Sequence, residues 1–402
     1  MSSGSDSDII WSDRPWIQQF EHLCSSEDLS LDKLQRMTEG ISLENLHNSS
    51  FLHRVCFNEN ITLEMVQFLL DLYPQAINFN ISLPEAEIFS AFPLHMACRN
   101  YECPNEVIRL LLQKEHLYQL TFMSYMGFNW DNTGIIIDNG NTRARGGLPL
   151  RYYLSRPSNV DLNIVKQLAT TNIAVLLLAD ENTKCTPIHI LMNNKSIGDM
   201  FDVVKYLAER NPSSLKVKDE ADQTPLAVAC KNRSITAGTI GFLLEACPGS
   251  IHQRNNCNEL PIHSLCEAKG MDDEVAIEIL NLLLEAHPDA VTQTEGDGYL
   301  PLQLAAMNKS SAFCKILVDA YPELAKRVDD DGDSPIHNAC HRGRPDTVEY
   351  LFGLYPESLH IRNNNGYLPI HEACGHPNNN TAEIVKFLLR HDPDCLSKTC
   401  CG

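Results

Sequence analysis

No apolar run in this 402-residue chain is long enough to cross a membrane: the longest, Ile173 to Ala179, falls far short of the ~20 residues a spanning helix needs. Basic residues are scarce as well. Lys plus Arg number 32 against 52 Asp plus Glu, a formal net charge of −20, so the field of the chain attracts cations and basic proteins and repels polyanions. Nucleic acid is thereby excluded as the expected partner. The first residues, MSSGSDSD, lack the basic start and apolar stretch of a secretory leader, which predicts a cytoplasmic protein, with the nucleus as the other compartment. In either, the Asn-X-Ser/Thr triplets from Asn48 to Asn379 go unglycosylated, and the 15 cysteines are thiols rather than disulfides. G-x-S-x-G, Walker A, G-x-G-x-x-G and kinase signatures are all missing. Neither catalysis nor a cofactor is expected.

What the chain does have is a repeat. Pro followed by an aliphatic residue and His occurs at Pro93-Leu94-His95, Pro187-Ile188-His189, Pro261-Ile262-His263, Pro335-Ile336-His337 and Pro369-Ile370-His371. Three copies replace the His, at Pro149-Leu150-Arg151, Pro225-Leu226-Ala227 and Pro301-Leu302-Gln303, and a degenerate copy reads Phe51-Leu52-His53. The nine anchors lie 42, 56, 38, 38, 36, 40, 34 and 34 residues apart, so the base period is 34. Pro suits the first turn of a helix, where its missing N–H leaves nothing unpaired. The eight or so residues after it, as in PIHNACHR, therefore read as a short helix A. A second helix B follows, as in TAEIVKFLLR, with apolar residues at i, i+3, i+4 and i+7, and a Tyr-Pro pair or its equivalent stops it. The link to the next anchor carries a turn such as DDDGD or NNNGY. Helices this short cannot bury an apolar face alone, so the repeats must stack.

These residues resemble the ankyrin repeat family. Its Thr-Pro-Leu/Ile-His-x-Ala-Cys/Ala signature is matched by TPIHILM from Thr186, TPLAVAC from Thr224, SPIHNAC from Ser334 and LPIHEAC from Leu368, and the resemblance spans residues 48–395. It implies an all-α fold, an ankyrin-repeat solenoid of stacked helix-turn-helix units with protruding β-hairpin fingers. Residues 1–11 are then a disordered terminus, 12–47 a helical cap carrying Trp16, Phe20 and Leu23, and 396–402 a tail. Leu or Phe often replaces the capping Thr, and Lys184, Asp222 and Asn258 stand where a turn glycine belongs, which predicts less regular fingers there.

Several motifs suggest other chemistry. His-x-x-Cys pairs such as His337/Cys340 have the spacing of zinc ligands, but stacked repeats hold successive pairs roughly 10 Å apart, so they read as structural. Cys56, Cys98, Cys230, Cys266, Cys340 and Cys374 then lie buried in helix A. His371-Glu372-Ala373-Cys374-Gly375-His376 is one residue too long for a zincin helix, and Asp329 to Asp333 fails as a calcium loop because Arg327 and Asn338 fall where carboxylates are required. No metal ligand set is assigned from sequence.

The wide gap between the second and third anchors marks an insertion at about residues 115–147. Its Tyr118, Phe122, Tyr125, Phe128 and Trp130, followed by Ile135-Ile136-Ile137, suit a long hairpin whose aromatics either pack the finger or meet a partner. Arg143, Arg145, Arg151 and Arg156 form the one basic island, either a grip on a phosphate or acidic peptide or a solvated loop. After helix B of the ninth repeat only Asp394 to Gly402 remain, so its last face is expected to be bare: the chain is a fragment, or that face docks on another protein or a second copy. The resemblance implies a non-catalytic scaffold or adaptor, binding a protein on finger tips and the exposed ends of helix A. Carried over by repeat, the partner-binding positions are Glu220, Ala221, Gln223, Lys231 and Asn232; Asp297, Tyr299 and Asn308; Asp330, Asp331, Asp333, His341 and Arg342; and Asn364, Asn365, Tyr367 and His376. The acidic run 329–333 calls for a partner with a basic segment. The alternatives are the regulatory part of a larger enzyme, of kinase, ubiquitin-ligase or channel type, and a cysteine-based metal- or redox-responsive module.

Overall fold

The computed structural model describes residues 15–39, 50–78, 81–83, 88–114, 135–138, 141–144, 149–158, 160–170, 179, 183–342 and 344–393. They fall in two compact bodies, Met1–Glu181 and Asn182–Gly402.

In the first body α1 (Pro15–Ser25) and α2 (Leu31–Thr38) precede three helix pairs: α3 (Phe51–Phe57) with α4 (Leu63–Leu72), α5 (Pro93–Arg99) with α6 (105–114), and α7 (Pro149–Leu154) with α8 (Leu162–Thr170). The A helices stack in order, α1 on α3, α3 on α5 and α5 on α7, and the buried rings of Phe20 and Phe51 meet at 5.8 Å between centroids. Two short antiparallel hairpins take up the extra chain. Strand β1 (Ile81–Leu83) pairs with β2 (Ile88–Ala91), with Ile81 opposite Ala91 and Leu83 opposite Ile88. Strand β3 (Ile135–Asp138) pairs with β4 (Asn141–Ala144), Ile136 opposite Arg143, within the predicted insertion.

The second body holds six pairs: α9 (Pro187–Met192) with α10 (Phe201–Arg210), α11 (Pro225–Lys231) with α12 (Ala237–Ala246), α13 (Pro261–Glu267) with α14 (Asp273–Ala286), α15 (Pro301–Asn308) with α16 (Ser311–Ala320), α17 (Pro335–Arg342) with α18 (Pro345–Leu354), and α19 (Pro369–Gly375) with α20 (Thr381–His391). The A helices again stack in sequence from α9 to α19. In three of these repeats helix B starts on a hydroxyl or carboxylate cap: Thr236 accepts from the Thr239 N–H, Ser310 from Phe313, and Asp272 from Glu274 and Val275. It stops at the residue before Pro, which proline's ring bars from helical backbone; Cys247, His287 and Tyr321 have φ near −145 to −150° and ψ of 73 to 93°. The Pro opens a single 3-10 turn, as at Pro248–His252 and Pro322–Lys326, which returns the chain toward the next finger. Aliphatic residues of both helices close the core. Between the last two repeats Ile336, Ala339, Cys340, Val348 and Leu351 pack with Ile370, Ala373, Ile384 and Leu388, each full burial contributing roughly 1.5–3 kcal/mol for the larger side chains.

Two expectations about the fingers are corrected. Among the described residues of the second body they are five-residue turns, not β-hairpins, because one anchoring side chain closes the loop before strands can pair. Nor are the glycine-free fingers irregular: Lys184, Asp222 and Asn258 take φ of 52, 57 and 61°, the same left-handed region as Gly298 and Gly332 at 84 and 77°. Asn and Asp tolerate that region, and the side chains of Asp219 and Asn255 close the turns that hold Asp222 and Asn258 in it.

Candidate protein-binding surface

Each finger of the second body is built on one polar side chain. Asp219, Asn255, Asp329 and Asn363 accept with one oxygen from the backbone N–H groups two and four residues on, and Glu295 does so with its two oxygens. The backbone N–H of the same residue donates to the carbonyl four residues on, as from Asp329 to Asp333 and from Asn363 to Tyr367. The turn is thus locked from both sides. Successive fingers are then tied together: the N–H of Glu220 donates to Thr183, that of Asn256 to Ala221, that of Gly296 to Cys257 and that of Asn364 to Asp331, at 2.8–3.1 Å.

The anchor histidines join fingers to helices. Nδ1 of His189, His263 and His337 accepts from the backbone N–H of the helix cap, Thr186, Leu260 and Ser334, so in the neutral ring Nε2 carries the proton. It donates to a carbonyl of the following link, Gln223, Gln293 and Tyr367 at 3.1, 2.9 and 3.3 Å. Gln303 does the same work with an amide, accepting from Leu300 N–H and donating to Asp333. Burial pushes His95 and His263 down to about 4 and lowers His189 and His337, so these rings are held neutral.

Three cations of the finger links are engaged by backbone carbonyls. Lys218 Nζ donates to the Arg254 carbonyl, Arg254 to Thr294 and Gln293, and Arg362 to the Gly366 carbonyl. Glu220, Asp297, Asp330 and Asp331 are exposed. Their field is felt at Tyr299, where burial first and then Asp329, Asp331, Asp333 and Asp297 push the phenol up to about 12. The Asp330 carboxylate overlies the turn of the preceding finger, where a Cβ on Gly298 would come within 2.5 Å of it.

The structure sorts the residues singled out by sequence. Arg342, Asn365 and Tyr367 are exposed, and Gln223 is half-buried. Others are committed internally, which corrects their assignment as free contacts. Lys231 Nζ sits 3.0 Å from Glu259 and 3.1 Å from Glu267; Asn364 donates its amide to the Asp330 carbonyl; Asp333 accepts from Asn363 at 2.8 Å. Nδ1 of His341 lies 3.3 Å from Glu372 Oε2, and this contact holds the Glu372 carboxyl below its ordinary value. Arg156 is no solvated or phosphate-gripping residue: it is 2% exposed, donating to the carbonyls of Tyr101 at 2.9 Å and Cys103 at 2.6 Å. Tyr118, Phe122, Tyr125, Phe128, Trp130 and Arg145 lie outside the described residues, as does the side chain of Arg143.

Arg156 belongs to a set of donors that the sequence did not reveal. Asn58 donates to the carbonyls of Cys24 and Ser26, Asn100 to Cys56 and Asn58, and Asn232 to Met192 and Asn194; Lys309 reaches Ala268. In each case a residue just past one A helix satisfies the open end of the A helix before it. Asn, Arg and Lys share the role, so no motif marks it. Cys56, Cys98, Cys230, Cys266 and Cys340 are buried, and burial pushes Cys230 and Cys266 up to about 12, which opposes thiolate chemistry. Cys374 is exposed, contrary to expectation, because among the described residues no further A helix covers its side of α19.

No described helix is long and apolar enough to cross a membrane. No curated protein matches the chain. Among solved structures, the chain is similar to the ankyrin repeat domain of Bcl-3, a member of the IkappaB protein family, at 22% identity over 60% of this chain and 99% of that one, with a TM-score of 0.43. The human ASB11 ankyrin repeat domain gives 19% identity over 61% and 97%, with a TM-score of 0.47. A chain from the complex of the Bd0816 predatory endopeptidase of Bdellovibrio bacteriovorus with immunity protein Bd3460 gives 18% over 52% and 99%, at 0.40. The model of the family described as ankyrin repeats (3 copies) matches residues 271–358 and 323–399. Ankyrin repeats are generally modules that bind other proteins and are typically non-catalytic. With that match falling on repeats whose cap, histidine and finger geometry recurs along the second body, residues 271–399 are ankyrin repeats.

Proposed function

We propose that the chain is a non-catalytic scaffold that holds a protein partner by a Lys- or Arg-rich segment laid across the finger tips of the seventh to ninth repeats. The observation that carries this reading is the exposure of Asp297, Asp330 and Asp331 together while Lys218, Arg254 and Arg362 are turned to backbone carbonyls. The seventh finger is tied by a backbone hydrogen bond to the sixth and the ninth to the eighth, so a partner meeting them loses less conformational freedom than one ordering free loops. A net charge of −20 also favours rapid encounter with a basic segment.

A lysine-rich peptide titrated into the full chain by fluorescence anisotropy tests this. The triple variant Asp297→Asn, Asp330→Asn, Asp331→Asn spares Asp333, which braces Asn363. Three exposed charges contribute about 0.5 kcal/mol each, so affinity at low ionic strength falls about tenfold and the salt dependence flattens. Equal affinity and equal salt dependence in both proteins would place the binding surface elsewhere.

A further inference from the structure

His341, Glu372 and His376 form a cluster that neither the stacking nor the acidic tips require. His341 is in the last turn of α17, Glu372 in the first turn of α19, and His376 directly follows α19, four residues after Glu372 and so on its face. Glu372 Oε2 lies 3.3 Å from Nδ1 of His341 and 3.7 Å from Nδ1 of His376, and one ligand atom from each residue falls within 4.8 Å of the others. Among the described residues no other three His, Cys, Asp or Glu side chains meet in this way.

We propose that these three side chains bind a divalent transition-metal ion of the zinc type, with two imidazole nitrogens and one carboxylate oxygen as protein ligands. The spacing fits. Bonds of about 2.0–2.1 Å in a tetrahedron put neighbouring ligand atoms about 3.3 Å apart, close to the two contacts already present, so small side-chain rotations complete the set. The donor types fit too: imidazole and carboxylate suit zinc, copper and nickel, and three protein ligands leave a fourth position for water. Glu372 is positioned for the task. It is 8% exposed, and its other oxygen, Oε1, accepts from the Asn363 amide at 3.2 Å, which leaves Oε2 turned to both imidazoles, as outer hydrogen bonds commonly orient metal-binding carboxylates. His376 is exposed, which gives an ion a route in, and the two rings lie side by side, tilted by 36° with centroids 3.8 Å apart.

The test uses the full, reduced chain and Co2+ as a spectroscopic probe, followed by Zn2+ competition. One Co2+ per chain is expected, with ligand-field bands of a nitrogen and oxygen site, no sulfur charge-transfer band, and displacement by Zn2+. His376→Ala and Glu372→Gln each weaken it at least tenfold, whereas Cys374→Ser leaves it unchanged. His376 lies at a helix end, so its variant is expected to keep the circular dichroism of the parent and separates lost ligation from lost folding. A sulfur band removed by Cys374→Ser, unchanged affinity in His376→Ala, or no binding at millimolar Co2+ overturns the proposal. The probe is the metal alone, so the result stands apart from the partner reading.

Discussion

Changing His263 to alanine is expected to destabilise the second body by about 3–4 kcal/mol, read as a fall in urea midpoint. The ring is buried, and its loss leaves the Leu260 N–H and the Gln293 carbonyl without their partner as well as opening a cavity. His263→Gln is expected to cost only about 1 kcal/mol, because Gln303 already makes both bonds at the corresponding place. The two variants also differ in acid. Burial holds His263 at about 4 in the folded chain against about 6.5 when unfolded, so only the unfolded chain takes up a proton between those values. The stability contributed by the neutral ring is complete above about pH 6.5 and is lost as pH falls toward 4, with His95 adding to the loss in the first body. His263→Gln removes one such proton and flattens the slope by up to about 1.4 kcal/mol per pH unit. Equal acid sensitivity in parent and glutamine variant would contradict a ring held neutral by burial.

Arg156→Ala is the second large effect, about 3–5 kcal/mol in the first body. The guanidinium is buried and donates to two carbonyls at the open end of the preceding A helix, with its Cζ 5.4 Å from the centroid of the Tyr153 ring. Removing it strands both carbonyls, and charge-assisted bonds are the stronger kind. Arg156→Lys is expected to recover about half, since Lys309 closes the corresponding end of another repeat with a single ammonium. Thermal unfolding of the three proteins, followed by far-ultraviolet circular dichroism, gives the order parent, Lys, Ala. A stable alanine variant would return Arg156 to the solvated island suggested by its sequence neighbours.

Arg156 illustrates what the sequence conceals. The anchor Pro, the His three positions after the cap and the pre-proline stop of helix B are tied to residue chemistry at fixed spacing, so helices, order and stacking were legible. The donor closing the preceding helix needs only reach and an N–H; Asn58, Arg156 and Lys309 all qualify, and no spacing rule unites them. Finger conformation was misjudged at Lys184, Asp222 and Asn258 because the left-handed position is enforced by bonds from Asp219 and Asn255 and from the neighbouring finger, not by glycine. The candidate surface was legible as an acidic run at 329–333, but not which carboxylates are free: Asp329 and Asp333 face inward to close turns. The His376 cluster escaped notice because a motif search looks along one helix, whereas its third member, His341, comes from the repeat before.

The central claim is that the fingers are preorganised by backbone hydrogen bonds to the finger before them, from the fourth repeat to the seventh and again from the eighth to the ninth, and amide hydrogen exchange of the full chain tests it most directly. The N–H groups of Glu220, Asn256, Gly296 and Asn364, which each donate to the previous finger, are predicted to exchange about a hundredfold or more slower than unstructured chain, with protection comparable to that of the adjoining A helices. Exchange of these four at the unstructured rate, while the helices stay protected, would show separate mobile loops and contradict the account.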